Sequence, residues 1–243
     1  MRGDTVLPQI KNTMAKRDKV PTQLSKDEYY DRDFWIKENI HYAQPHFRLE
    51  KAARIINRLA PAEDCDLLDV GCGPAALMGL LRKNVHYHGI DLAIHSPAPN
   101  LLQTNFLETP IGFGSKKFDM VIAQGVFEYA GTFQLKKLSE IRRLLKPDGK
   151  FIVSYVNFGH LNKYIAYFYN NVQSVRDFRR SLTQVFQVER CFPTSHNWRH
   201  HEPRRAVNKA IQLRINVNVP IISPFLAVEY FFICSPNSDT NPD

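Results

Sequence analysis

The chain lacks two features that would assign it to a membrane or secreted class. No stretch approaches the roughly 20 consecutive apolar residues of a membrane-spanning helix. The longest apolar run, VPIISPFLAVEYFFIC, is interrupted by Pro220, Pro224 and Glu229. The first residues contain no apolar core of a secretory signal. We therefore expect a cytoplasmic protein without a membrane span.

Cysteine is scarce, with four residues in a chain of 243 and no CxxC pair. Their spacing indicates no disulfide framework, so we expect free thiols in a reducing compartment. Hydrophobic residues at 44% and charged residues at 23% are typical of a globular protein. The length allows one large domain or two small ones. The four cysteines are Cys65, Cys72, Cys191 and Cys234.

Acidic residues are in the minority, with 24 Asp and Glu against 32 Lys and Arg, which gives a net charge of +8. Much of the excess lies in the last third of the chain. It indicates either a solvated basic face or a surface for an acidic or phosphorylated partner, and both interpretations stay open. The basic residues of this region are Arg176, Arg179, Arg180, Arg190, Arg199, Arg204, Arg205, Lys209 and Arg214.

Short apolar segments alternate with helical ones through the middle of the chain. The segments LLDV, VHYHGI, NLLQT, FDMVIAQ and KFIVSYV predict strands, and AALMGLLRK and QLKKLSEIRRLL predict helices. We expect the first helix to be entered through Pro74, and the second to place Leu135, Leu138, Ile141 and Leu145 on one side. This alternation predicts an α/β protein with a doubly wound, mostly parallel sheet.

The two flanks of the chain depart from this alternation. Residues 1–25 show no sustained periodicity, and a helical pattern begins near Ser25, which has the capping-box spacing to Glu28. In the last third, residues 157–183 predict an aromatic-rich helix, and TQVFQVERCF and LAVEYFFIC predict strands. Residues 192–226 read as an irregular segment rich in His, Arg and Pro.

The segment DLLDVGCGPAALMGLL places two glycines directly after a strand. Gly71, Gly73 and Ala76 fit the dinucleotide fingerprint GxGxxA. Asp69 would repel a pyrophosphate and attract an ammonium group. Asp91, at the end of the next strand, can accept hydrogen bonds from the ribose of any adenosine ligand. Together these residues favour an adenosine ligand with an ammonium group and no phosphate, a description that fits S-adenosylmethionine.

The run LLDVGCGPA resembles motif I of the class I S-adenosylmethionine-dependent methyltransferases. Four segments follow in that family's order: HYHGIDLA, TNFLETP, FDMVIAQGVFEYA and LLKPDGKFIVS. The resemblance covers about residues 48–156. The chain departs from the family pattern in Pro74 inside the loop, Ala75 for the third glycine, Asn105 for an adenine-side acid and Tyr129 for a histidine.

The resemblance implies a Rossmann-like methyltransferase fold with a seven-stranded sheet, an N-terminal helical leader and a late acceptor-side insertion. The implied cofactor is S-adenosyl-L-methionine. We expect a flexible arm and then a helical leader or lid before the methyltransferase domain, and a disordered tail after it. The expected ranges are 1–25, 26–62, 63–236 and 237–243, with acceptor-side elements at 157–183 and 192–226.

The resemblance and the loop chemistry also give candidate site residues. The expected cofactor contacts are Asp69, Gly71, Cys72, Gly73, Asp91, Leu92, Asn105, Phe106, Gln124 and Gly125. Catalytic residues are unknown, with Tyr129, His160 and His196 as candidates. The candidate acceptor contacts are Tyr29, Tyr30, Phe34, Trp35 and Tyr42, whose helix either packs its apolar face or closes as a lid, together with Asn157. We expect no metal site.

We expect methyl transfer to an N or O nucleophile of a small, partly apolar metabolite, of the kind modified in natural-product tailoring. The aromatic content of 12% favours a pocket over a nucleic-acid groove. An RNA methyltransferase using the basic C-terminal region is the alternative. An NAD(P)-binding oxidoreductase and a cofactor-binding protein without turnover are remoter ones. The sequence does not identify the acceptor or the oligomeric state.

Overall fold

A computed structural model describes residues 47–94, 96–115, 117–158, 173–202, 207–214 and 217–237. The arm, the leader aromatics Tyr29, Tyr30, Phe34, Trp35 and Tyr42, and the catalytic candidate His160 lie outside the described residues. The tail does so too beyond residue 237. Beyond His196 in β6 and throughout β7, only the backbone is described.

Up to β5, the described part of the chain contains two α-helices and five strands. Helix α1 (Phe47–Leu59) precedes β1 (Cys65–Val70), β2 (Val85–Asp91), β3 (Leu101–Gln103) and β4 (Phe118–Ala123). Helix α2 (Gln134–Leu144) then leads into β5 (Leu145–Val156), and α3 (Val175–Thr183) into β6 (Phe186–Glu202). The remaining elements are β7 (Val207–Leu213), the short α4 (Ser223–Leu226) and β8 (Ala227–Pro236).

These strands form one sheet in the order β3-β2-β1-β4-β5-β8-β6-β7. Strands β1 to β5 pair in parallel, and β8 pairs antiparallel with both β5 and β6. The first seven positions of this order are the expected mostly parallel, seven-stranded sheet, and β7 is an additional edge strand. The parallel strands end together at Val70, Asp91, Ala123 and Val156, which we call the carboxyl edge.

Apolar layers cover both faces of the sheet. On one face, Ala52, Ala53 and Ile56 of α1 pack over strand residues that include Leu67 and Ile122. On the other, α2 and α3 pack over a layer that includes Val121, Phe151 and Phe232. Burial on both faces explains the nearly continuous apolar strands of the sequence. None of the helices within the described ranges has the length and apolar character to span a membrane.

The helix predicted after the glycine loop is wrong. Residues 71–84 contain a single 3₁₀ turn, Met78–Leu80. Gly71, Gly73 and Ala75 all take positive φ, and Pro74 offers no backbone donor, so a continuous α-helix cannot begin there. In α2, Leu138 and Ile141 are fully buried as expected, but Leu135 is 42% exposed.

The irregular segment predicted over residues 192–226 is also wrong in its first half. Strand β6 continues to Glu202 and pairs antiparallel with β7, from His196 opposite Leu213 to Glu202 opposite Val207. Pairing of β6 with β8 stops at His196 opposite Ala227. Beyond that point the hairpin has no partner strand in the described sheet except its own.

Candidate functional site

The glycine loop leaves β1 at the carboxyl edge, where ligands bind in open parallel sheets. Gly71 has φ 75° and Gly73 has φ 52°, values that favour glycine. A Cβ atom on Gly71 would overlap the Val126 side chain. The loop therefore lies directly against the connection that follows β4.

Asp91 ties this loop to the end of β2. Its Oδ2 accepts a hydrogen bond from the Gly73 N–H at 2.8 Å, and its Oδ1 accepts one from the Ala93 N–H at 2.8 Å. The Gly71 and Cys72 amides both donate to the Ile90 carbonyl, at 2.8 and 3.1 Å. The glycine loop and the expected ribose carboxylate thus form one hydrogen-bonded unit, and Leu92, half-buried, lies beside it.

Asp69 lies beneath the loop and is 5% exposed. Its Oδ2 accepts a hydrogen bond from the Tyr87 hydroxyl at 2.7 Å. Burial raises the pKa of Asp69 to about 7, the Tyr87 hydrogen bond opposes the rise, and the charge of Asp91 adds to it. A cationic ligand at the carboxyl edge would favour the ionised form of this carboxyl.

The segment after β4 brings further predicted residues to the same edge. Gly125 has φ 70°, and its N–H donates to Ser154 Oγ at 3.0 Å. Gln124 Nε2 is buried and has no hydrogen-bond partner among the described residues. A buried amide donor left in this state is expected where a ligand supplies the acceptor.

The adenine-side candidates are organised by their own segment. Asn105 Oδ1 accepts a hydrogen bond from the Leu107 N–H at 3.1 Å and fixes a turn there. Phe106 is only 6% exposed, and its ring meets that of Phe127 edge-to-face at 5.9 Å. Phe106 is therefore largely a core residue, and an adenine could reach only its remaining exposed part.

Other predicted residues have structural partners. The Asn157 side-chain amide donates hydrogen bonds to the carbonyls of Pro224 at 3.0 Å and of Ala227 at 2.9 Å. His196 is 4% exposed, and its Nε2 lies 2.8 Å from Ser223 Oγ. Tyr129 is half-buried in the 3₁₀ turn Phe127–Tyr129. Within the described ranges, no group of three His, Cys, Asp or Glu side chains could hold a metal ion.

A buried charge cluster at the carboxyl edge was missed by the sequence reasoning. The Arg48 Nε donates to Glu229 Oε2 at 3.0 Å, and its Nη2 donates to Oε1. A Cβ on Gly125 would lie 3.5 Å from Arg48 Nη2, so the cluster adjoins the segment after β4. The available signal was Glu229 itself, a charged residue inside the apolar run LAVEYFFIC.

Glu128 completes this cluster. It is 2% exposed, its Oε1 accepts a hydrogen bond from the Val156 N–H at 2.7 Å, and its Oε2 has no partner among the described residues. Burial raises the pKa of Glu128 to about 7; the nearby Glu229 adds to this rise, whereas hydrogen bonds to the backbone and the Arg48 charge oppose it.

A family model described as a methyltransferase domain matches residues 44–204. The chain belongs to the class I S-adenosylmethionine-dependent methyltransferases. Its cofactor is accordingly S-adenosylmethionine. An uncharacterized protein of Methanocaldococcus jannaschii is 31% identical to this methyltransferase over 137 residues, which are 54% of this chain and 59% of the relative. The match therefore spans less than two thirds of that relative's length.

Solved structures share the fold of this methyltransferase. One is a chain of the complex between the Haloferax volcanii Trm112 methyltransferase activator and a proposed methyltransferase, with TM-score 0.60 and 15% identity over 86% of this chain and 97% of that one. Another is a SAM-dependent methyltransferase from Archaeoglobus fulgidus, with TM-score 0.57 and 16% identity over 84% of this chain and 100% of that one. At sequence identities of 15% and 16%, the structural similarity establishes the shared fold alone.

Proposed function

We propose that this methyltransferase transfers the methyl group of S-adenosylmethionine to an N or O nucleophile of a small, partly apolar molecule. The observation that carries the proposal is the 2.8 Å hydrogen bond from the Gly73 N–H to Asp91 Oδ2. It joins the glycine loop to a carboxylate able to hold a ribose. With Asp69 beneath, the charged side chains of this unit are acids, which suit a cationic ligand better than a pyrophosphate.

The residues of the carboxyl edge suit this cofactor in charge and in hydrogen-bonding capacity. We assign Asp91 to the ribose hydroxyls, Asn105 and Phe106 to the adenine side, and Gln124 to an acceptor atom of the methionine end. The last assignment is supported by the buried, unpartnered Gln124 Nε2. Asp69 acts through its charge, because its side chain is buried beneath the loop, with only 5% exposed.

When bound, S-adenosylmethionine supplies a methyl group already activated on a sulfonium, so the chain mainly has to align the acceptor and exclude water. A neutral amine needs no base, whereas a hydroxyl acceptor must lose its proton. Glu128 is our candidate for that proton acceptor in preference to Tyr129. Its support is a raised pKa of about 7 and an oxygen without a partner among the described residues.

The test is cofactor binding by the full chain and by Asp91→Ala, measured by calorimetry with S-adenosylhomocysteine. We expect Asp91→Ala to weaken binding by at least about tenfold, because hydrogen bonds to a charged group are lost. Asp148→Ala, at an exposed residue near the start of β5, is the control and should bind like the parent. Unchanged affinity in Asp91→Ala would refute the ribose assignment. Thermal stabilisation by NAD but not by S-adenosylhomocysteine would refute the cofactor fit.

The acceptor is then sought among small metabolites that shift the melting temperature in the presence of S-adenosylhomocysteine, followed by mass analysis of methyl transfer. A second candidate function is RNA methylation together with an activator protein. It is supported by the basic C-terminal region and by the neighbour of similar fold that forms a complex with Trm112. RNA binding that weakens steeply with salt would favour this second candidate.

A further inference from the structure

Tyr87 of β2 places a buried hydroxyl beneath the glycine loop. The residue is 6% exposed, and its ring packs in the same buried layer as Ile56, Leu67 and Ile122. A phenylalanine ring would fill this space without a polar atom, and a buried hydroxyl costs free energy unless it is hydrogen-bonded. The partners of this hydroxyl therefore indicate its use.

The Tyr87 hydroxyl joins two parts of the candidate cofactor site. It donates a hydrogen bond to Asp69 Oδ2 at 2.7 Å, from β2 to the neighbouring strand β1. The Cys72 thiol, which lies between the two loop glycines, is close enough to interact with the same hydroxyl. A Cβ on Gly89 would lie 2.8 Å from Cys72 Sγ, so the thiol packs tightly against β2. The hydroxyl thus holds the Asp69 carboxyl and contacts the loop from below.

The hydrogen bond between Tyr87 and Asp69 has a fixed direction at neutral pH. Burial, together with the nearby Asp69 and Cys72, raises the pKa of Tyr87 well above its ordinary value of 10.0. The phenol therefore keeps its proton and acts as the donor. A donated hydrogen bond favours the ionised form of the accepting carboxyl, whereas burial favours the neutral form. Tyr87 thus opposes the effect of burial on Asp69.

The other groups that face Asp69 do not help it to ionise. The charge of Asp91 raises the pKa of Asp69, and burial raises the pKa of the Cys72 thiol, which therefore stays neutral. Helix α1 and strand β4 cover this side of the sheet with apolar residues, and the Arg48 guanidinium of α1 is paired with Glu229. Among the described residues, the tyrosine hydroxyl is therefore the group that favours the carboxylate.

We propose that Tyr87 is a positioning residue for cofactor binding, whose hydroxyl keeps the Asp69 carboxylate ionised and in place beneath the glycine loop. An ionised carboxylate attracts the ammonium group of the cofactor, and a neutral acid does not. Tyr87 therefore raises the affinity for the cofactor at neutral pH, where burial alone would leave the Asp69 carboxyl protonated. The inference rests on the proposed function, in which Asp69 acts on the cationic cofactor through its charge.

The test is calorimetric binding of S-adenosylhomocysteine, which keeps the ammonium group, to the full chain and to Tyr87→Phe at a series of pH values. Losing one hydrogen bond to the carboxylate should move the ionisation of Asp69 upward by about one pH unit. The parent should then bind about tenfold more tightly than the variant near pH ~6, and about equally near pH ~9, where both carboxyls are ionised. Titration of the ligand is common to both proteins and cancels in this ratio. A packing defect would weaken binding by the same factor at every pH.

Two further measurements show whether Tyr87 acts through Asp69. Adding Tyr87→Phe to Asp69→Asn should leave the pH dependence of binding unchanged, because asparagine does not titrate. In the cofactor-free protein, carbon NMR of labelled aspartate carboxyls identifies the Asp69 signal as the one lost in Asp69→Asn. This signal should titrate at about pH 7 in the parent and about one pH unit higher in Tyr87→Phe.

The matched control is Tyr230→Phe. Tyr230 is also 6% exposed, but it lies in β8 and packs on the other face of the sheet, so this variant should bind like the parent at every pH. Unchanged affinity in Tyr87→Phe, or a loss of affinity that is equal at every pH, overturns the proposal. So does a shifted titration of Asp69 with an unshifted binding profile. A parent that binds no S-adenosylhomocysteine would instead refute the proposed function, and this inference with it.

Discussion

At the residue scale, Gly71 is constrained both by its backbone angle and by the packing around it. Its φ of 75° suits glycine, and any Cβ would overlap the Val126 side chain. We expect Gly71→Ala to lower the free energy of unfolding by about 2 kcal/mol or more, from backbone strain and overpacking together. The measurement is urea unfolding followed by circular dichroism.

Gly112→Ala is the matched control for this prediction. A Cβ on Gly112 would meet nothing within 4 Å, and its φ is not in the left-handed region. The same substitution there should be neutral or slightly stabilising, because it reduces the entropy of the unfolded chain. Equal stability of the Gly71→Ala and Gly112→Ala variants would contradict the close packing of the glycine loop against the segment after β4.

Glu128 makes stability depend on pH through its burial. Its pKa is about 7 in the folded chain against an ordinary value of 4.5. Between pH 4.5 and pH 7 the Glu128 carboxyl is ionised in the unfolded chain but keeps its proton in the folded chain. The free energy of unfolding is therefore highest below pH 4.5 and falls as the pH rises toward 7. Above pH 7 the loss of unfolding free energy approaches about 3 kcal/mol.

Glu128→Gln removes this titration and keeps an oxygen that can accept from the Val156 N–H. We expect the stability of the variant relative to the parent to increase across the same pH window, measured by urea unfolding at a series of pH values. The carboxyl of Asp69 titrates in both proteins and therefore cancels in the comparison. A difference between variant and parent that does not change with pH would show that Glu128 is ionised throughout.

At the scale of elements, strands were more predictable than helices and long hairpins. Burial on both faces gave β1, β2, β4 and β5 apolar runs bounded by polar residues, so the alternation indicated them correctly. The segment 71–84 has a helical apolar pattern, but the positive φ of Gly71, Gly73 and Ala75 prevents a regular helix. The sequence pattern reports side-chain spacing and not these dihedral angles.

The β6–β7 hairpin shows a second limit of pattern reading. Its outer part pairs only with itself within the described sheet, and the β6 sequence NWRHHE shows no apolar alternation there. The pattern marks Glu229 as a charge inside an apolar run, but it does not identify the partner Arg48, which is 181 residues away. The order of the cofactor motifs along the chain was readable because each motif is local to one loop.

At the scale of the whole molecule, the Arg48–Glu229 pair joins the first described helix to the last strand. The Glu229 side chain is 3% exposed and that of Arg48 is 29% exposed. Removing one partner of a buried pair leaves an uncompensated charge, which costs about 3–5 kcal/mol. We expect Arg48→Met to lose about 3 kcal/mol of unfolding free energy, at the low end because the positive Lys51 also lies near Glu229.

A double-mutant cycle separates the cost of leaving the Glu229 charge uncompensated from the cost of losing the packing of the Arg48 side chain. Arg48→Met/Glu229→Met should recover most of the stability, because replacing both partners by apolar residues of similar size is often nearly neutral. Arg180→Met is the control: Arg180 and Asp177 form a surface pair whose side chains are 64% and 49% exposed, and its loss should cost under about 1 kcal/mol. All variants are compared by urea unfolding with two optical probes. A double variant no more stable than Arg48→Met would mean that the arginine contributes mainly through packing and not by neutralising Glu229.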